Sequence, residues 1–118
     1  MAEDPETAKD MFDTVGNLAV ETCKMLLKES YEFDGAFFYN DMGYKNSSLF
    51  LPKMYRDLIF PIDKYIFSFC RENRMKTILH SCGNVKPLIL SLIEADLDCL
   101  QPLKVKAGME LVKKYGIY

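Results

Sequence analysis

The chain has 118 residues, of which 49% are hydrophobic and 27% are charged, and 15 basic against 17 acidic side chains give a formal charge of -2. The basic residues are scattered, so no nucleic-acid partner is expected, and no apolar run is long enough to cross a membrane. The acidic start does not resemble a secretory signal. We therefore expect a soluble cytoplasmic protein of one domain or less, whose four cysteines are free thiols or metal ligands rather than disulfides.

A long amphipathic helix is predicted at the start of the chain. Asp4 is a good N-cap and Pro5 suits the first helical position. Apolar residues then recur at three- and four-residue steps to about Glu29, which predicts one face packed in the core. The residues predicted to face inward are Ala8, Met11, Phe12, Val15, Leu18, Ala19, Thr22, Met25 and Leu26.

Three short apolar segments predict strands that alternate with helices. The first of them is nearly continuous in apolar and aromatic residues, which is typical of a parallel strand covered on both faces. This alternation predicts the α/β class with a parallel sheet, and three strands are few enough that we expect a part of a larger fold. The predicted strands are 33–40, 76–81 and 98–101. Helices are predicted at 52–73, with an interruption at Pro61, and at 107–115. Another helix, capped by Asn84, lies between them, and the residues it turns toward the sheet are Leu88, Ile89, Leu92 and Ile93.

Polar side chains follow the carboxyl ends of these strands, where ligands bind in parallel α/β folds. Asp41 begins the first such loop, although an acidic residue there is also common turn chemistry. Side chains alternate along a strand, so His80 and Cys82 should share one side while Ser81 points away. Such a pair can bind zinc, but a half-buried histidine and a structural cysteine fit the same pattern. Gln101 is expected at the same edge of the sheet.

Several separate segments resemble the uroporphyrinogen decarboxylase superfamily, and they occur in the family's order. The run Tyr31–Asn46 is similar to the family's "DG…DDLGY-N" segment. Leu51–Arg56 is similar to the segment in which the family commonly has Ser-Pro followed by Tyr-Arg. Leu79–Val85 resembles a strand of the methyltransferase branch, and Gln101–Met109 resembles the next strand and its loop.

The resemblance implies a (β/α)8 barrel, of which this chain would supply about three βα units. In the corrinoid (cobalamin)-dependent methyltransferases of this superfamily, a His-x-Cys pair and a distant Cys bind zinc, which activates a small thiol that takes a methyl group from a methylated corrinoid. His80 and Cys82 match the first two ligands, and the third would lie outside this sequence. The resemblance further implies Asp41 as a catalytic residue at the rim, with Asn46 and Gln101 as substrate contacts, and no turnover by the chain alone.

Two alternatives remain open at this point. Uroporphyrinogen decarboxylase, an enzyme of heme biosynthesis, would hold a tetrapyrrole at the same barrel mouth without a metal or cofactor. Its amino-terminal arginine-rich motif and aspartate are absent here, and the His-x-Cys pair argues for the methyltransferase branch. The other alternative is a non-catalytic fragment. A three-stranded parallel sheet leaves edges and helix faces uncovered, so a homo-oligomer is predicted.

Overall fold

The computed structural model describes residues 3–42 and 51–101, which form helices and a three-stranded sheet. The predicted helix at 107–115 lies outside these residues. Within the described ranges, no helix is long and apolar enough to span a membrane. In chain order the elements are α1 (Pro5–Lys28), β1 (Gly35–Tyr39), α2 (Pro52–Met54), a π-helical segment (Tyr55–Ile59), α3 (Phe60–Glu72), β2 (Lys76–His80), a 3-10 turn (Lys86–Leu88), α4 (Ile89–Glu94) and β3 (Cys99–Gln101).

The sheet has the predicted parallel arrangement. β2 lies between β1 and β3, and both pairs are parallel. The register places Tyr39 beside His80 and His80 beside Gln101, so these three residues form one row at the carboxyl ends of the strands. Asp98 holds β3 against β2, because its Oδ2 accepts the Thr77 N–H at 2.9 Å. The α/β class with a parallel sheet is therefore confirmed.

The two faces of the sheet differ in how well they are covered. On one face Thr77, Leu79 and Ser81 are buried beneath the helices. On the other face, which we call the open face, Phe37 is 46% exposed and Tyr39 is 78% exposed. The prediction that β1 is covered on both faces is wrong for the described structure, because its helices pack on one side. The buried core is formed by Met42, Tyr55, Leu58, Ile59, Leu79, Val85, Leu88, Ile89, Leu92 and Leu100.

The inward face of α1 agrees only in part with the predicted one: Ala8 and Phe12 pack against the core as predicted. Gly16 and Val20 are buried, and a Cβ added to Gly16 would lie 2.2 Å from Cγ1 of Ile62 in α3. The close helix contact thus runs through a glycine, which apolar periodicity does not count, and the predicted face is rotated away from the real one. Four side chains predicted to be inward are between 63% and 69% exposed, and we call them the α1 stripe: Met11, Val15, Leu18 and Met25.

The predicted interruption of the second helix occurs just before Pro61. Pro61 has no N–H to continue the helical ladder, and the Phe60 N–H reaches back to the carbonyl of Tyr55, as in a π-helix. Tyr55 is fully buried and its hydroxyl donates to Asp63 Oδ2 at 2.6 Å. Burial raises the pKa of Asp63 to about 6, while this hydrogen bond lowers it.

The third helical region begins at Lys86, and its N-cap is Val85, which makes no side-chain capping hydrogen bond, rather than the predicted Asn84. Asn84 Oδ1 does accept the Lys86 N–H at 3.1 Å. The first turn of this region is 3-10 rather than α-helical. Leu88, Ile89 and Leu92 are buried as predicted. Ile93 was predicted to face the sheet but is 40% exposed, in the last turn of α4, which ends at Glu94.

Candidate metal centre

His80 is at the centre of the site, at the end of β2 and on the open face. Its Nε2 lies 3.1 Å from Cys82 Sγ, so the two side chains share one side as the strand alternation predicts. Its Nδ1 lies 3.3 Å from Gln101 Oε1. A carbonyl oxygen only accepts hydrogen bonds, so this contact favours the proton on Nδ1 and leaves the Nε2 lone pair facing Cys82.

Asp41 approaches the same two residues from the turn after β1. Its Oδ1 lies 3.8 Å from His80 Nε2 and accepts the Cys82 N–H at 2.9 Å. One ligand atom from each of the three residues lies within 4.8 Å of the other two. The Asp41 side chain is 65% exposed and that of His80 is 24% exposed, so the cluster opens to solvent on the carboxylate side.

Hydrogen bonds to the end of β2 hold the turn that contains Asp41. The Asn40 N–H donates to the His80 carbonyl at 3.0 Å, and the Met42 N–H donates to Ser81 Oγ at 3.0 Å. Met42 and Ser81 are both fully buried. The residues before and after Asp41 are therefore both hydrogen-bonded to the end of β2. Ser81 was correctly predicted to point away from His80, but its role as an anchor was missed.

Two more residues shape the surroundings of His80. The Tyr39 ring has its centroid 5.4 Å from that of His80, at an interplanar angle of 45°. Tyr39 was not predicted as a site residue, although the parallel register that brings it beside His80 was implicit in the strand order. Gly83 has a φ of 81°, a left-handed conformation that favours glycine and lets the chain turn directly after Cys82.

The predicted site residues are thus brought together in part. Asp41, His80, Cys82 and Gln101 converge at one edge of the sheet. Asn46 lies outside the described residues. Gln101 contacts the histidine ring, and its predicted role as a substrate contact stays a prediction.

The donor types suit a zinc ion, and the three ligand atoms lie within 4.8 Å of one another, so a small shift of the exposed Asp41 side chain would close them around it. Bonds of about 2.0–2.3 Å at tetrahedral angles place the ligand atoms of zinc roughly 3.3–3.6 Å apart. The observed separations of 3.1 Å from Nε2 to Sγ and 3.8 Å from Nε2 to Oδ1 lie on either side of that range. Three protein ligands would leave a fourth position open, as in catalytic zinc sites.

The same contacts allow a second chemistry, in which Cys82 is a nucleophile and His80 its base. A thiolate beside the Asp41 carboxylate needs a cation between them, and either a protonated His80 or a divalent metal ion supplies it. The set of one carboxylate, one imidazole and one thiol is also a donor set that zinc accepts.

Comparison with known proteins identified no relative of the chain. No protein-family model matches the chain, and no curated protein or solved structure is significantly similar to it.

Proposed function

We propose that this chain is a segment of a uroporphyrinogen decarboxylase-like (β/α)8 barrel from a corrinoid-dependent methyltransferase. In this proposal His80 and Cys82 bind the zinc that activates a small thiol. The observation that supports it best is the 3.1 Å separation of His80 Nε2 and Cys82 Sγ at the carboxyl end of a parallel strand. Catalytic groups of (β/α)8 barrels lie at this end of the strands.

Bound zinc would lower the pKa of a thiol in the open position and present it as a thiolate at neutral pH. The activated sulfur would take the methyl group from the corrinoid, which would keep the electron pair of the broken carbon–cobalt bond, and the thiol proton would go to solvent. The corrinoid, or the protein that holds it, would approach from the open face beside Tyr39. The chain alone would lack turnover, since most of the barrel would come from elsewhere.

Cobalt substitution tests the thiol-activating site on the chain as it exists. A cobalt(II) ion bound by Cys82 should show sulfur-to-metal charge-transfer absorption, and 2-mercaptoethanesulfonate should add a second thiolate to that absorption. Cys82→Ser and His80→Ala should abolish both signals. Cys23→Ser is the matched control, because Cys23 lies in α1 away from the site, and it should behave as wild type.

Two results would argue against this proposal. If cobalt binds but the added thiol leaves the spectrum unchanged, the ion does not activate thiols. If neither substitution alters metal binding, His80 and Cys82 are not ligands. A chain that binds no metal but retains a tetrapyrrole would favour the decarboxylase alternative.

We also propose that the chain forms a homo-oligomer. The α1 stripe presents four large apolar side chains on one helix face, and the open face of the sheet adds Phe37 and Tyr39. Exposed apolar surfaces of this kind mark interaction sites. Light scattering should show a species larger than one chain, and Leu18→Lys should reduce its mass, whereas Asn17→Lys on the exposed neighbour should not. A stable monomer at high protein concentration would contradict the proposal.

A further inference from the structure

We infer that Asp41 is the third protein ligand of this metal centre, so that the chain binds a zinc ion with its own side chains, and that Gln101 positions His80 for it. The inference rests on the proposed zinc-binding role of His80 and Cys82. In place of the distant third ligand that the family resemblance implies, it assigns a residue from the turn after β1.

Asp41 is held where a ligand is needed. Its Oδ1 faces His80 Nε2 at 3.8 Å, on the side that also faces Cys82 Sγ. The turn is fixed by the buried bond from the Met42 N–H to Ser81 Oγ and by the bond from the Cys82 N–H to Asp41 Oδ1. The carboxylate would therefore lose little conformational freedom on binding an ion. Its other oxygen, Oδ2, is not used by the hydrogen bond from Cys82.

The donor set selects the class of metal. One imidazole nitrogen, one thiolate sulfur and one carboxylate oxygen suit zinc or its substitute cobalt, whereas calcium and magnesium require oxygen ligands. The charges of Cys82 and Asp41 balance those of a divalent ion. A thiolate in the fourth position would then carry the remaining negative charge of the site, which suits a nucleophilic sulfur.

Gln101 would act through His80 rather than on the metal. Its Oε1 lies 3.3 Å from Nδ1, on the opposite side of the ring from Cys82 and Asp41. An acceptor there holds the proton on Nδ1 and leaves Nε2 as the ligand atom. Partners of this kind typically change metal affinity by about 10–100-fold.

Zinc titration against a chromophoric chelator separates these roles. Wild type should bind one zinc per chain, and Asp41→Asn should weaken binding by about 100-fold or more, since it removes the anionic donor but keeps an acceptor for the Cys82 N–H. Asp34→Asn is the matched control, because Asp34 is an exposed carboxylate just before β1, at the opposite end of the strand, and it should bind as wild type. Circular dichroism establishes that each variant is folded.

The role of Gln101 has an independent readout, because His80 is the only histidine of the chain. Nitrogen-15 NMR of its ring should show Nδ1 protonated in the metal-free wild type and a mixture of tautomers in Gln101→Leu. Gln101→Leu should weaken zinc binding by about 10–100-fold, and Gln101→Glu should restore it, since a carboxylate also accepts the Nδ1 proton. Unchanged tautomers and affinity in Gln101→Leu would overturn the positioning role.

The outcomes also distinguish this inference from the proposed function. If zinc binding is lost in His80→Ala and Cys82→Ser but unchanged in Asp41→Asn, Asp41 is not a ligand while the proposed function stands. If none of the three substitutions alters zinc binding, the proposed function fails as well.

Discussion

Replacing Ser81 by alanine tests whether the buried hydrogen bond beneath the site supports the proposed metal centre. Ser81 Oγ accepts the Met42 N–H at 3.0 Å, and both residues are fully buried. Ser81→Ala leaves that N–H without its partner in a place that water does not reach, which should lower the free energy of unfolding by about 1–3 kcal/mol. It also frees one side of the turn that carries Asp41, so zinc affinity should fall by about 10–100-fold.

Ser91→Ala is the matched control for this experiment. Ser91 is also buried, but its hydroxyl accepts from the Arg56 guanidinium, which is exposed enough to bind water instead. Its loss should cost less than about 1 kcal/mol and leave zinc affinity unchanged. Urea unfolding and zinc titration of both variants provide the two measurements. The reasoning is refuted if Ser81→Ala binds zinc as tightly as wild type, or if Ser91→Ala weakens zinc binding equally.

Three further predictions concern the core and the thiols. The pKa of Asp63 is raised from 3.8 to about 6 by burial, so the folded state binds the proton more tightly. Its contribution to stability is therefore lost as pH rises from about 4 to 6, and urea unfolding of Asp63→Asn should lack that loss. Gly16→Ala should destabilise the protein by about 1–3 kcal/mol in urea unfolding, because its Cβ would lie 2.2 Å from an α3 side chain; a stable variant would refute the close packing. Zinc should protect Cys82 from alkylation by iodoacetamide, as measured by mass spectrometry. Cys70 should react slowly with or without zinc, because burial raises its pKa to about 11.

Strand alternation and parallel order predicted much of the site. Alternation placed His80 and Cys82 on one side, and the shared carboxyl edge brought Gln101 to the same row. Both are properties of the backbone and need no knowledge of side-chain packing. The position of the Asp41 carboxylate beside His80 could not be predicted in this way, because it depends on a turn held by the buried Ser81 hydroxyl, 39 residues after Met42.

The inward face of α1 shows a different limit of sequence reasoning. The apolar periodicity pointed to residues such as Val15 and Leu18, which are exposed, while the contact with α3 runs through Gly16. A glycine contributes nothing to a hydrophobic pattern, yet it allows two helices to approach closely. The number of apolar residues on a face therefore does not decide which face is buried.

X-ray absorption at the zinc edge of the metal-loaded chain tests the central claim most directly. A centre formed by Asp41, His80 and Cys82 should show one sulfur at about 2.3 Å and two or three nitrogen or oxygen donors at about 2.0–2.2 Å, with an imidazole scattering pattern. Cys82→Ser should remove the sulfur contribution, and Asp41→Asn should alter the oxygen contribution. A zinc environment without sulfur, or one unchanged by either substitution, would contradict the account.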